Sequence, residues 1–366
     1  MVQTPSSNEI LYVGTYSIRG SKGIYVFAFD RLTGEFTLRQ TVDNLKGPSF
    51  LAIHPSGRFL YSVNEEDDQG QEHSGTANAY TIDQQTGELT FINQQLTHGQ
   101  APCHISIHRS GKLAFISNYG GGSLTVLPIL DDGSLGEASQ FMKHTGKGMD
   151  EERQDAPHVH SAILSIDNRF VYVSDLGTDK IHVYEVDEEQ DRVSPHDTPF
   201  ISVSAGSGPR LIAVHPNDQF AYSIKEMSST VAVLRRNTQT NTVELVDDDV
   251  VFLPDNYANE RSGGDVHVDP TGQNLYVTNR GNNTLAVFSV GDDGKLIYQS
   301  LHYTGGDGPR NFLIDEQGEF VLVGHQETDN ITIFHRDAAT GELTATGNQL
   351  AVPSPVCLVM LRLPST

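Results

Sequence analysis

The chain has 366 residues, and 24 basic against 47 acidic side chains leave it at a net charge of −23 with histidine neutral. That balance excludes nucleic acid and an anionic membrane surface as partners, because both demand a basic face. No apolar run approaches the ~18 residues of a membrane helix and Met1–Glu9 lacks the apolar core of a signal segment, so the expected location is the cytoplasm.

After a tail of about residues 1–9, the chain opens with Ile10-Leu11-Tyr12-Val13, Gly23-Ile24-Tyr25-Val26-Phe27 and Phe36-Thr37-Leu38. These are three apolar, β-branched or aromatic runs that read as strands. From Gly47 onward a longer unit recurs, clearest in Gly208–Leu234. A Gly-Pro turn leads into Leu211-Ile212-Ala213-Val214, Pro216-Asn217-Asp218 turns the chain, and Phe220–Ile224 and Thr230–Leu234 follow as strands. Aligned copies place Tyr12, Tyr61, Phe115, Tyr172, Tyr222, Tyr276 and Leu322 at one position, with steps of roughly 50 residues that mark a repeat architecture. A second marker recurs as Thr33-Gly34-Glu35-Phe36, Thr86-Gly87-Glu88-Leu89, Asp132-Gly133-Ser134-Leu135, Asp293-Gly294-Lys295-Leu296 and Thr340-Gly341-Glu342-Leu343, with glycine-free versions near Asp191 and Asn241. Both markers predict an all-β, seven-bladed propeller of four-stranded blades that forms one domain over residues 1–366.

The first unit lacks its leading strand, and Pro355-Val356-Cys357-Leu358-Val359-Met360-Leu361 carries that strand's pattern with nothing after it. The expectation is a closure blade with the C-terminal strand innermost and the three N-terminal strands outside it, which removes two free sheet edges. Cys103 and Cys357 fall inside apolar strands without metal-type spacing and read as core. Three connections outgrow their counterparts: Glu65–Thr76, Lys143–Pro157 and Pro254–Gly264. On a repeat scaffold such loops shape a binding face or are tolerated surface insertions.

Antiparallel neighbours put the start of a blade's first strand beside the end of its second. The starts are Ser49, Cys103, His160, Arg210, Gly264 and Arg310, and the exits are Tyr16, Glu65, Tyr119, Leu176, Glu226, Arg280 and Gln326. One channel mouth therefore collects Arg210, Arg280, Arg310, His160, Glu226 and Glu65, with His104, His158 and Asp175 adjacent. Arginine forks suit a carboxylate or phosphate, although Arg210 and Arg310 could equally tie blades together as ion pairs. His158-Val159-His160 alternates as a strand does, so both rings are expected on one side, as a general base or hydrogen-bond donor. Glu226 is either a base tuned by the arginines or their counter-ion. His54, His108 and His215 fall in the hairpin at the opposite rim and read as turn and packing residues. Asn118-Tyr119-Gly120-Gly121-Gly122 reads as a second-to-third-strand turn with some backbone donors toward a ligand. No local spacing supplies a third metal ligand beside His158 and His160, and neither metal nor cofactor is expected.

The strings LYVGTY, PSFLAIHPSGRFLYSVNE, APCHISIHRSGKLAFISNYGGGSLTVL, HVHSAILSIDNRFVYVSDLGTDKI, GPRLIAVHPNDQFAYSIKEMSSTVAV, LYVTNRGNNTLAVF and GPRNFLIDEQGEFVLVGHQETDNITIF resemble the seven-bladed propeller lactonases. That family includes bacterial 6-phosphogluconolactonases and the fungal carboxymuconate lactonizing enzyme. The resemblance runs from about Ile10 to Leu361 and implies functional roles for His160, Arg210, Glu226 and Arg280, the residues geometry had placed at the mouth. Three positions depart from the family pattern: Leu211 stands where a histidine is usual, Gly324-His325-Gln326 replaces Ala-Asn-Gln, and Asp265 replaces a glutamate. The leading expectation is metal-independent hydrolysis of a sugar lactone, 6-phosphogluconolactone first, on a small anionic substrate. His160, Arg210, Glu226 and Arg280 would be catalytic, and Arg310, His158, His104, Glu65, Asp175 and Gln326 would bind substrate. The alternatives are a lactonizing cycloisomerase acting on an unsaturated dicarboxylate and a non-catalytic ligand-binding scaffold. A monomer or weak homo-oligomer is expected.

Overall fold

The repeat folds as a propeller: the described residues of the computed structural model, 8–66, 74–254, 257 and 260–364, form seven four-stranded antiparallel sheets. Residues 1–7 of the expected tail and parts of the Glu65–Thr76 and Pro254–Gly264 connections lie outside the described residues, and Glu9 already begins a strand. Counting from the N-terminus, the innermost strands are Pro355–Arg362 in the first blade, then Phe50–Ile53, Pro102–Ile107, Val159–Leu164, Pro209–Val214, Gly263–Val268 and Pro309–Ile314. Each touches the next and Pro309–Ile314 touches Pro355–Arg362, so the ring is closed. Closure follows the expected pairing, with Glu9–Thr15 between Pro355–Arg362 and Ile24–Asp30 and Tyr12 opposite Val359. Among the described residues no helix is long and apolar enough to cross a membrane.

Burial explains the strand pattern. Second strands such as Phe220–Lys225 are buried throughout because a neighbouring blade covers each face, while outer strands such as Val243–Val251 alternate between buried or half-buried and exposed residues. The core is accordingly divided into interblade layers; one joins Tyr222 and Val233 to Leu275 and Val277, another joins Tyr12 and Val26 to Leu60 and Tyr80.

The two sequence markers are physically linked. Tyr12, Tyr61, Tyr222 and Tyr276 donate their hydroxyls to the carbonyls of Gly87, Gly133, Gly294 and Gly341, in each case the turn glycine of the following blade. At Gly133 and Gly294 φ is 84° and 79°, and a Cβ would lie 2.3 Å from a ring carbon of Phe59 or Phe220. The glycine-free turns put Asp191 and Asn241 in the same left-handed region. At the opposite rim, His54, His108 and His215 hydrogen-bond the carbonyls of Gly111, Asn168 and Gly272 in the next blade, the turn role read from the sequence. Ion pairs reinforce that rim: Arg236 with Asp167 at 2.6 Å, and Arg336 with Asp269 and Arg31 with Asp315.

Candidate active site

At the other rim every second-strand exit is held against the start of the innermost strand. The amides of Glu65, Tyr119, Glu226, Arg280 and Gln326 donate to the carbonyls of Gly47, Ala101, Gly208, Ser262 and Gly308 at 2.7–2.9 Å. The ladder then slips by one residue in blade after blade. Pro102 and His104, Val159 and Ser161, Pro209 and Leu211, and Pro309 and Asn311 face consecutive partners, which leaves Cys103, His160, Arg210 and Arg310 as the extra residues of β-bulges. A bulge breaks the alternation of faces and re-aims one side chain. Here the re-aimed set lines a single cavity together with Ser49, Phe50, Leu211, Asn311 and Val356.

Charge in this cavity is organised on Glu226. Its Oε2 accepts from Arg210 Nε at 3.0 Å and is ion-paired with Arg280 Nη2 at 2.9 Å, and its Oε1 accepts from Arg153 Nη2 at 2.5 Å. Arg210 and Arg280 also donate to the carbonyls of Gly264 (2.5 Å) and Gly263 (3.1 Å), which ties Arg210 of the fifth blade to the sixth and holds Arg280 within its own sixth blade. Burial alone would raise the Glu226 pKa, but the charges of Arg280 and Arg210 and the Arg153 bond hold it well below the usual carboxylate range. Burial, then Arg310 and Arg280, pulls Arg210 down to about 10, still charged at neutral pH.

Arg310 is placed differently. Its guanidinium lies over the Tyr16 ring at 5.2 Å, and none of the described residues gives it a hydrogen bond or ion pair. Glu65 is nearby, accepting from Ser49 Oγ and from Tyr16 Oη at 3.3 Å; burial raises its pKa, with Arg310 as the largest opposing influence. His160 is buried, edge-on to the Tyr119 ring at 5.6 Å and 3.9 Å from Cys103 Sγ through Nδ1. Burial, followed by the charge of Arg210, pushes its pKa well below 6.5, so the imidazole is neutral at pH 7. Cys103 is buried as expected, though beside this cavity, and burial drives its thiol pKa upward.

The other predicted residues distribute in layers. His158 flanks the same Tyr119 ring, stacked at 4.5 Å, with Nδ1 3.0 Å from the Tyr119 carbonyl oxygen. His104 packs on the Phe50 ring at 4.3 Å, and burial lowers its pKa to about 3. Asp265 lies in this deeper layer and accepts from Asn311 Nδ2 at 2.6 Å and from the Phe312 amide at 3.3 Å; its Oδ2 is also 3.0 Å from His267 Nε2. Gln326 shares a second, polar pocket with Arg280, Ser262, Asn283 and Asp307 rather than the cavity of Arg210. Asp175 is fully buried, accepts from the His158 amide at 2.8 Å and reaches His144 rather than the mouth. The amides of Gly121 and Gly122 are bonded to the carbonyls of Gln100 and Tyr119, so this turn does not offer those two donors to a ligand.

Sequence reasoning missed Arg153. It sits in the long Lys143–Pro157 connection, the sole basic residue of the stretch Asp150–Asp155, and that isolated charge was the available signal. The connection acts as a strap that carries a guanidinium from ahead of the fourth blade onto Glu226 of the fifth.

Comparison with known proteins agrees with this architecture. The family described as "Lactonase, 7-bladed beta-propeller" matches residues 10–360. The chain is 36% identical over 352 residues to the 6-phosphogluconolactonase of Bacillus subtilis (strain 168), covering 96% of this chain and 97% of that one. It is 35% identical over 360 residues to the 6-phosphogluconolactonase of Formosa agariphila, covering 96% and 99%. The solved structure of a periplasmic gluconolactonase from Pseudomonas aeruginosa superposes with a TM-score of 0.89 at 31% identity, covering 97% of this chain and 99% of that one. With the family match spanning nearly every blade and identity sustained across both relatives' full lengths, the chain belongs to the seven-bladed β-propeller lactonase family.

Proposed function

We propose that the protein hydrolyses a sugar δ-lactone, with 6-phosphogluconolactone as the preferred substrate, and that no metal takes part in the chemistry. The observation that carries the reading is the juxtaposition of a neutral, buried His160 with Arg210, fixed by Glu226, and Arg310, to which none of the described residues gives a hydrogen bond or ion pair. The cavity they line leaves about 10 Å³ for a water-sized group, room for one attacking water and not for a hexose. The lactone therefore sits across the mouth with its carbonyl turned inward.

His160 takes a proton from the water as its oxygen bonds to the lactone carbonyl carbon. The tetrahedral oxyanion forms against Arg210, whose guanidinium is already oriented by Glu226 and Gly264. As the ring C–O bond breaks, the imidazolium returns its proton to the leaving ring oxygen, giving a carboxylic acid and a hydroxyl. Glu226, clamped by three guanidinium groups, is too weak a base for this step and acts as the counter-ion that positions them. Arg310 receives the phosphate, and Arg280 borders the polar pocket that takes the hydroxylated part of the sugar. A phosphorylated sugar does not cross membranes unaided, so we place the enzyme in the cytoplasm.

The test is kcat/KM on 6-phosphogluconolactone, on unphosphorylated gluconolactone and on a carboxymuconate. Hydrolysis that favours the phosphorylated lactone, with the preference collapsing in Arg310→Ala, supports the assignment. Turnover of the dicarboxylate alone moves the protein to cycloisomerase chemistry, and no turnover of any of them leaves a binding scaffold.

A further inference from the structure

Behind His158 lies a cluster that the proposed chemistry does not use. His144, at the beginning of the strap, has Nδ1 2.9 Å from Asp175 Oδ2 and Nε2 2.9 Å from Tyr184 Oη. His182, on the strand Lys180–Asp187, brings Nε2 to 3.9 Å from the same Asp175 oxygen. That Nε2 is buried and has no hydrogen-bond partner among the described residues, a state that costs free energy unless something occupies the space it faces. Ligand atoms of His144, Asp175 and His182 all lie within 4.8 Å of one another.

We propose that His144, Asp175 and His182 form a zinc-class divalent metal site at the root of the strap. Two imidazoles and one carboxylate are a donor set that zinc accepts with bonds of about 2.0–2.2 Å, and a hard cation such as calcium would instead require oxygen donors. The metal takes the place of the proton shared by His144 Nδ1 and Asp175. His144 Nε2–H then donates to Tyr184 Oη, the outer hydrogen bond that fixes the tautomer of a metal-bound histidine. Asp175 keeps its second oxygen on the amide of His158, so one ion ties both ends of the strap to the fourth blade. Between those ends the strap carries Arg153 to Glu226. The ion is structural, its fourth position is filled by water, and the site does not depend on which lactone the enzyme uses.

Metal-stripped protein titrated with Zn²⁺ against a chromophoric chelator is expected to bind one equivalent, and Co²⁺ to give the visible absorption of a four-coordinate N/O site. Tyr184→Phe should weaken zinc by roughly 10–100-fold, and His182→Ala should abolish both signals. The apparent melting temperature should rise with zinc in the parent and stay fixed in His182→Ala. Should His182→Ala fail to melt cooperatively, the cobalt spectrum of the parent decides alone. Absence of a four-coordinate cobalt spectrum, or zinc retained with parent affinity in a folded His182→Ala, overturns the proposal.

Discussion

Replacing Arg210 by alanine tests the charge arrangement at the mouth most directly. Arg210 is 2% exposed and engages Glu226 and the Gly264 carbonyl, so its fork is desolvated and pre-aimed. Truncation leaves the Glu226 carboxylate paired with Arg280 and Arg153, so the loss falls on the transition state more than on the fold. Removing one partner of a buried, hydrogen-bonded charge pair costs about 2–5 kcal/mol, a fall in kcat/KM of roughly 30- to 4,000-fold at 1.4 kcal/mol per decade. Arg210→Lys should fail nearly as badly, because a single ammonium cannot satisfy both Glu226 and Gly264 in the geometry of a guanidinium fork.

Arg153→Ala is the internal control. Its side chain is 46% exposed on the strap and its pair with Glu226 reaches solvent, so the expected loss is about 0–1 kcal/mol and shrinks with salt. Salt acts oppositely on capture of an anion by a protein of net charge −23, since screening over a Debye length of ~10 Å at 0.1 M weakens the long-range repulsion. The assay is kcat/KM for the parent and the three variants from low salt to about 0.3 M, with an uncharged lactone alongside. An Arg210→Ala enzyme within threefold of the parent on the phosphorylated lactone, or one whose deficit is as small and as salt-sensitive as that of Arg153→Ala, refutes the reasoning and leaves Arg210 as an interblade tie.

Because His160 is held well below its ordinary pKa, the acid limb of kcat/KM should lie well under pH 6.5 and vanish with His160→Gln; a limb at 6.5–7 assigns the base elsewhere. Buried His104 and His325 have folded pKa values of about 3 and 4, so the unfolded chain binds more protons as pH falls below 6.5. Stability should drop from pH 6.5 towards 4, by up to about 1.4 kcal/mol per pH unit for each group, and His104→Phe should flatten the melting-temperature profile. Glu65, whose pKa is raised, acts with the opposite sign and loses stability as pH rises past its unfolded value. Deleting Pro355–Thr366 should open the ring at Glu9–Thr15 and cause aggregation or loss of cooperative melting, and a truncated protein melting as the parent does would show the closure strand to be dispensable.

The blade count was legible because its two markers are one interaction. A tyrosine such as Tyr222 needs an acceptor for its buried hydroxyl, the Gly294 carbonyl supplies it, and the glycine must be left-handed where a Cβ would strike Phe220. The mouth was legible because antiparallel pairing forces Glu226 beside Gly208 whatever the side chains do. What stayed hidden depends on a single extra residue or a long-range contact. The bulges at His160 and Arg210 leave the apolar alternation on either side intact, so nothing in the pattern marks the slip that turns those side chains into the channel. Asp175 ends its strand beside the mouth, as its position implies. The side chain is drawn away by His144, which arrives from an insertion with no counterpart in the other blades.

The three departures from the family pattern differ in what they can change. His325 is buried away from the cavity with Nδ1 3.2 Å from the Asn330 carbonyl oxygen, and Asp265 acts one layer down by holding Asn311. Leu211 alone lines the cavity, next to Arg210, while the same side chain packs into the layer between the fifth and sixth blades. A histidine there would add a hydrogen-bonding ring where the chain now presents only methyl groups. Leu211→His should therefore cost about 1–3 kcal/mol of stability through the lost packing. It should also change the ratio of kcat/KM between phosphorylated and unphosphorylated gluconolactone by severalfold, with most of the change in KM because the leucine side chain itself moves no proton. Denaturant unfolding supplies the first number and paired kinetics the second. A variant that is destabilised as expected yet keeps the parent's substrate ratio would place Leu211 wholly in the core, and selectivity would then have to come from Arg310 and the polar pocket bordered by Arg280.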